Sequence, residues 1–339
     1  MNYLFFLSII IINEIFIKFD ILLDKIEFSK HKSFITTKKI PTSGGILALL
    51  FILFFYKNLS IINLVIIILI FLIGFLSDKI RNFSPTLRLL SQIILTFFFI
   101  TNSNILINDV RINEINLIIE NYKSVSIIFT IFCFIVFING INFVDGTNLN
   151  AIGYLILVYL SIFIISKMNN LLFDSDFLSK IILFLFVIYI LNFFNRLQLG
   201  DSGSYILGFF TAYYIINFIS NNNLVSPYFA VYILWYPCFE NLFSIVRKIN
   251  QKKSISEADN LHLHHYIFLF FKSKNYKNIN NLTGIILNSF NLILMILGLF
   301  YFSTTKILVF IIALNIICYL ILYNYLGKKL LKKPINNVK

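Results

Sequence analysis

Three aspartates, Asp78, Asp145 and Asp201, stand where long apolar stretches end, each inside a short polar cluster. The first cluster reads Gly74-Phe75-Leu76-Ser77-Asp78-Lys79, followed by Ser84-Pro85-Thr86-Leu87-Arg88. The second is Asn139-Gly140-Ile141-Asn142-Phe143-Val144-Asp145-Gly146-Thr147-Asn148, and the third is Gly200-Asp201-Ser202-Gly203-Ser204, with Asn192, Asn195 and Arg196 shortly before it. Two more clusters flank them. Lys38-Lys39-Ile40-Pro41-Thr42-Ser43-Gly44-Gly45 is basic and glycine-rich, and Asp259-Asn260-Leu261-His262-Leu263-His264-His265 holds three of the chain's four histidines.

An acid at the end of an apolar helix is costly unless it is wet or paired. Lys79, Arg81 and Arg88 are placed to pair Asp78 or to hold phosphate. The second cluster has more amides, acids and glycines than a plain turn needs. The third opens a helix, where an anion finds unpaired amide donors. Its acid argues instead for a hard cation such as Mg²⁺, which keeps its waters and shares phosphate ligands. The two glycines of the basic cluster allow close approach to a ligand, with Lys39 as charge for an anion.

The histidine spacing also suits zinc, but no cysteine is near and only Asp259 completes a set. Hydrogen bonding to a pyrophosphate or sugar is the better use. Each cluster also has a plain reading: a basic helix start, loop electrostatics, a turn, an N-cap aspartate. Together they describe one polar site, with the carboxylates, Mg²⁺ and Lys/Arg that recur in chemistry on a diphosphate.

The elements that must position this site are membrane helices. The chain is 59% hydrophobic and only 13% charged, where a soluble domain carries roughly 25%. Its mean hydropathy is +0.86. A spanning helix needs about 20 mostly apolar residues. The sequence predicts an all-α polytopic membrane protein with about eleven transmembrane helices, over 2–19, 43–56, 59–76, 86–103, 124–141, 150–166, 177–194, 204–220, 224–245, 283–302 and 305–325. The second is short for a bilayer, and no alternation points to a barrel. The first is read as a retained helix, since it lacks a basic leader and a small-residue cleavage site. Cys133, Cys238 and Cys318 lie in apolar segments without pairing or metal spacing, and are expected to be buried.

With the N-terminus outside, the inner segments are 18–42, 77–88, 142–149, 195–203, 246–282 and 326–339. They carry 22 of the chain's 28 Lys and Arg, the bias of the positive-inside rule. All five clusters then fall on the cytoplasmic face. The net charge of +13 marks topology rather than nucleic acid, because no soluble basic domain exists to bind it. The C-terminal lysines Lys328, Lys329, Lys332 and Lys333 suit anionic lipid heads. One membrane domain over 1–339 accounts for the chain, and the missing soluble domain points to a second substrate supplied by the bilayer.

The five clusters resemble, in order, those of the polyprenyl-phosphate N-acetylhexosamine-1-phosphate transferase family, over roughly residues 20–325. Pro41-Thr42-Ser43-Gly44-Gly45 is similar to its Pro-x-x-Gly-Gly. The run Asn139 to Gly146 is similar to its Asn-x-x-Asn-x-x-Asp-Gly, Gly200 to Ser204 to its Gly-Asp-x-Gly-Ser, and His262 to His265 to its His-x-His-His. Pro237-Cys238-Phe239-Glu240 resembles the Pro-x-x-Glu of the branch that starts O-antigen and related surface glycans. The phospho-MurNAc-pentapeptide translocase is a more distant relative.

The resemblance implies transfer of a sugar-1-phosphate from a UDP-N-acetylhexosamine to undecaprenyl phosphate, releasing UMP, in the bacterial inner membrane. It implies dependence on Mg²⁺, with Mn²⁺ as a substitute, and allows a homodimer. Carried over by motif, Asp78, Asp145 and Asp201 are catalytic, and Asp201 and Asp145 hold the metal. Arg88, Asn142, His262, His264, His265 and Lys39 bind substrate, with Arg88 near the lipid phosphate and the histidines on the nucleotide sugar. Lys252 and Lys253 share the loop of the histidines, but no motif places them.

Two positions depart from the family. Ser77 stands where it usually has the first of two aspartates, so a mechanism needing a base there loses its base. The lipid phosphate is already largely ionised (second pKa about 6), so attack does not require one. Asn148 stands where the translocase branch carries an aspartate. That weakens the translocase, which is the nearest rival reading, followed by a non-catalytic relative and by a transporter, whose polar residues would lie near mid-membrane on broken helices.

Overall fold

In a computed structural model, residues 2–23, 40–80, 83–254 and 261–331 are described. They form fourteen helices and, among them, no strand beyond an isolated bridge between Leu23 and Pro41. The helices are α1 (Asn2–Lys18), α2 (Gly44–Phe55), α3 (Ile61–Lys79), α4 (Pro85–Ser103), α5 (Asn113–Asn121), α6 (Lys123–Val144) and α7 (Asn150–Asn169). They continue with α8 (Ser175–Phe193), α9 (Gly200–Ser220), α10 (Pro227–Ile233), α11 (Trp235–Asn250), α12 (Leu263–Lys272), α13 (Ile279–Phe300) and α14 (Thr305–Leu331).

Seven of these are long and apolar enough to cross a membrane, eight if the bent pair α10 and α11 is one span. The other three of the expected eleven, α1, α2 and α9, fall short of that test, α2 because it has only 12 residues. The chain is a multi-pass membrane protein. Leu87, Ile94 and Phe98 on α4 and Phe310, Ile317 and Ile321 on α14 point outward, as lipid-facing surfaces require. Cys318 is exposed on α14, against the expectation of burial, because its turn faces out; Cys133 and Cys238 are half-buried, and all three are free.

Local chemistry starts several helices. Ser60 accepts from the Asn63 amide at α3, Ser84 from Leu87 at α4 with Pro85 in the first turn, and Asp174 from Phe177 at α8. In the middle stands α9, buried along nearly its whole length and packed by α2, α3 and α6.

Two boundaries differ from expectation in a way that matters. Ser77 and Asp78 lie on the last turn of α3, and Asn139 to Val144 continue α6, so these side chains sit on helices rather than loops. The segment expected as one span over 224–245 is two helices meeting at 73° around Leu234. The cause is Pro237. Its ring would clash with the carbonyl four residues back, that of Ile233, so α10 ends there. The released Ile233 carbonyl accepts the Tyr154 hydroxyl at 2.8 Å.

Candidate active site

The chain folds its clusters to one end of the bundle, the motif end, through direct contacts. The N-cap of α9 is Leu199, which has no side chain able to cap. Asp78 supplies the cap from α3. Its Oδ1 accepts from the Asp201 amide at 2.9 Å, and its Oδ2 accepts from the amide and hydroxyl of Ser202 at 3.0 and 2.8 Å. Gly200, at φ +71°, sits so close to this carboxylate that a Cβ would strike it. The negative charge also suits the positive end of the α9 dipole.

This cap points the Asp201 side chain the other way, into a ring of donors. Oδ1 accepts from the Asn142 amide at 2.8 Å. Oδ2 accepts from the Ser77 hydroxyl at 2.5 Å and from Arg88 Nη1 at 3.1 Å. Arg88 Nη1 also reaches the hydroxyls of Ser77 at 2.8 Å and Tyr205 at 3.4 Å. Among the described residues no acceptor meets Arg88 Nη2 or Nε. The Arg88 and Asp201 side chains remain 25% and 23% exposed. Guanidinium donors left over beside a partly exposed ion pair have the geometry and charge that suit a phosphoryl group.

Asn142 leads to the second half of the site. Phe143 packs on the His262 ring at 5.1 Å, and His264 lies so close over Gly146 that no Cβ fits there. Asp145, half-exposed, ends α6, with its amide on the Ile141 carbonyl at 3.1 Å. His264 stacks on His262 at 5.6 Å and lies 4.1 Å from His265. It is fully buried, with no hydrogen-bond partner on either ring nitrogen among the described residues. Burial, and then the neighbouring His265 and His262, hold its pKa well below the ordinary histidine value, so it is neutral.

The structure thus brings together Asp78, Arg88, Asn142, Asp145, Asp201, His262, His264 and His265. Lys39 and Asp259 lie outside the described residues. Among those described, no group of three His, Cys, Asp or Glu is placed to hold a metal. Gly44 and Gly45, expected to let backbone approach a ligand, instead let α2 pack against Leu199 and Ser202. Asn192 and Asn195, expected near the third cluster's site, act as braces. Asn192 Oδ1 accepts the Leu149 amide at 2.6 Å, and the Asn148 amide donates to Asn195 and Asn281 at 2.7 and 2.9 Å.

Sequence reasoning assigns no role to Glu240 of the Pro-x-x-Glu run. It is buried beneath His262, and the signal for it was an acid inside an apolar helix.

The helical membrane fold places a partly exposed arginine–carboxylate pair, of a chemistry suited to phosphate, at one end of the bundle. Residues 60–219, which hold α3 to α9, match Glycosyl transferase family 4. That family comprises the polyprenyl-phosphate sugar-1-phosphate transferases and includes the phospho-MurNAc-pentapeptide translocase, so the match supports the resemblance carried by the motifs. No curated protein matches the chain.

Proposed function

We propose that the protein transfers an N-acetylhexosamine-1-phosphate from a UDP-sugar to undecaprenyl phosphate, releasing UMP, as the first step of a bacterial surface glycan. The observation that carries this reading is the Asp201 ring, in which a carboxylate and an arginine with unspent donors lie side by side, both partly exposed. The positive-inside bias of the sequence supports a site on the cytoplasmic face of the inner membrane.

The donor set suits Mg²⁺, which needs only one or two protein carboxylates beside phosphate and water. Asp201 would hold it, with Asp145 one turn beyond Asn142. When bound, the ion neutralises charge on the diphosphate.

The residues of the chain account for the rest. Arg88 orients the lipid phosphate through the donors it does not spend on Asp201. A lipid phosphate oxygen attacks the sugar-linked phosphorus. The bond from that phosphorus to the bridging oxygen breaks, and the oxygen leaves with UMP. No proton moves when the attacking phosphate is a dianion, so Ser77 is free to serve as a donor to Asp201. Asp78, met on both oxygens by α9, acts by fixing the first turn of that helix. His262 and His265 hold the nucleotide sugar, with the buried His264 ring packed against both and Lys39 as a further charge.

The translocase reading is disfavoured at Asn148, whose amide is spent on braces where a carboxylate would be needed. UMP release by purified protein from a panel of UDP-N-acetylhexosamines tests the proposal. Release that requires both undecaprenyl phosphate and Mg²⁺ is expected, and release from no donor by folded protein would sink it.

A further inference from the structure

The family match ends before α11, α12 and α14, and there a buried carboxylate meets the first histidine of the cluster. Glu240, on the second turn of α11, has no exposed surface. Three donors converge on it. His262 Nδ1 lies 2.9 Å and the Leu263 amide 3.3 Å from Oε1, and the Tyr319 hydroxyl lies 2.5 Å from Oε2. Taking a carboxylate out of water costs several kcal/mol, and that cost is met only by well-placed donors. A neutral acceptor would tie down the same backbone without it.

A carboxylate only accepts hydrogen bonds, so the contact places a proton on His262 Nδ1. Nε2 is then the nitrogen presented to a ligand. The ring is held in that pose by Phe143 on one side and by His264, nearly parallel at 6°, on another. Tyr319 brings α14 into the arrangement, and its neighbour Tyr323 donates to the Leu261 carbonyl at 2.9 Å, just before His262.

We propose that Glu240 is a positioning residue of the site: it fixes the tautomer and orientation of His262 so that Nε2 meets an oxygen of the donor diphosphate, and Tyr319 holds Glu240 in place. The identity of the ligand rests on the function proposed above; the Glu240–His262 pair does not.

The test is ¹⁵N-histidine NMR on the full chain in lipid nanodiscs without substrate, with His262 assigned by H262N. Wild-type protein is expected to carry the proton on Nδ1. In E240Q the amide donates as well as accepts, so a mixed tautomer is expected. Y319F, a milder change, keeps the Nδ1 proton. In the UMP assay E240Q is expected to raise the donor KM about tenfold, with kcat and the lipid KM within about twofold, the split that marks lost donor binding. A wild-type His262 protonated on Nε2 would overturn the proposal, and so would E240Q with unchanged tautomer and donor KM. If E240Q does not fold, the wild-type spectrum decides. An Nδ1 proton in a protein that releases no UMP would keep the pair and remove the proposed function.

Discussion

Arg88 and Arg111 sit at opposite ends of the bundle and use the same guanidinium differently. At the far end, Arg111 donates to the carbonyls of Ser303, Asn223 and Val225, at 2.9, 2.8 and 3.2 Å, and to the Thr305 hydroxyl at 3.4 Å. It staples three loops together, and its acceptors are mostly backbone. At the motif end, among the described residues, Arg88 uses Nη1 alone, on the side chains of Asp201, Ser77 and Tyr205. A membrane bundle needs polar groups at both ends to close its loops. What separates a site from a staple is whether the donors are already spent.

That contrast can be broken by substitution. The largest expected effect is at Asp201: D201N removes the charge that pairs Arg88 and should lower UMP release by about 100-fold or more, the scale of losing a preorganised charge at a transition state. Next comes R88K. A lysine cannot bridge Ser77, Asp201 and a phosphate at once, so kcat/KM for the lipid substrate should fall about 10-fold to 100-fold. At the far end, R111Q should leave kcat/KM within about twofold while costing about 1–3 kcal/mol of stability, read as a lower thermal midpoint. Activity loss in R111Q with unchanged stability would erase the distinction between the two ends.

The smallest effect concerns pH. Folded His264 has a depressed pKa, so the unfolded chain binds the extra proton. Its contribution to stability is therefore full above the ordinary value of 6.5 and is lost as pH falls below it. The thermal midpoint should drop between about pH 6.5 and 5, and by less in H264Q.

The difference between the ends also explains what the sequence could reveal. Apolar length located the helices, because lipid demands it regardless of packing. It passed straight through the bend at Leu234, since 224–245 stays apolar on both sides of the break. Pro237 was the local sign, but its effect depends on which carbonyl lies four residues back and on Tyr154 being there to satisfy it. The site clusters were legible because acids and histidines are rare in such a chain. Their division of labour was not. Asp78 and Asp201 look alike in sequence, yet one caps α9 and the other accepts from Asn142, Ser77 and Arg88, a difference set by the close packing of α3 against α9. The asparagines misled for a similar reason: Asn148, Asn192 and Asn195 brace backbone and one another, and an amide's partner cannot be read from its neighbours in the chain.

The most direct test of the account is UMP release by D201N against wild type in nanodiscs holding undecaprenyl phosphate and Mg²⁺, normalised to folded protein. The account predicts robust release by wild type and near-complete loss in D201N with the thermal midpoint little changed. Release by folded D201N at the wild-type rate would contradict it.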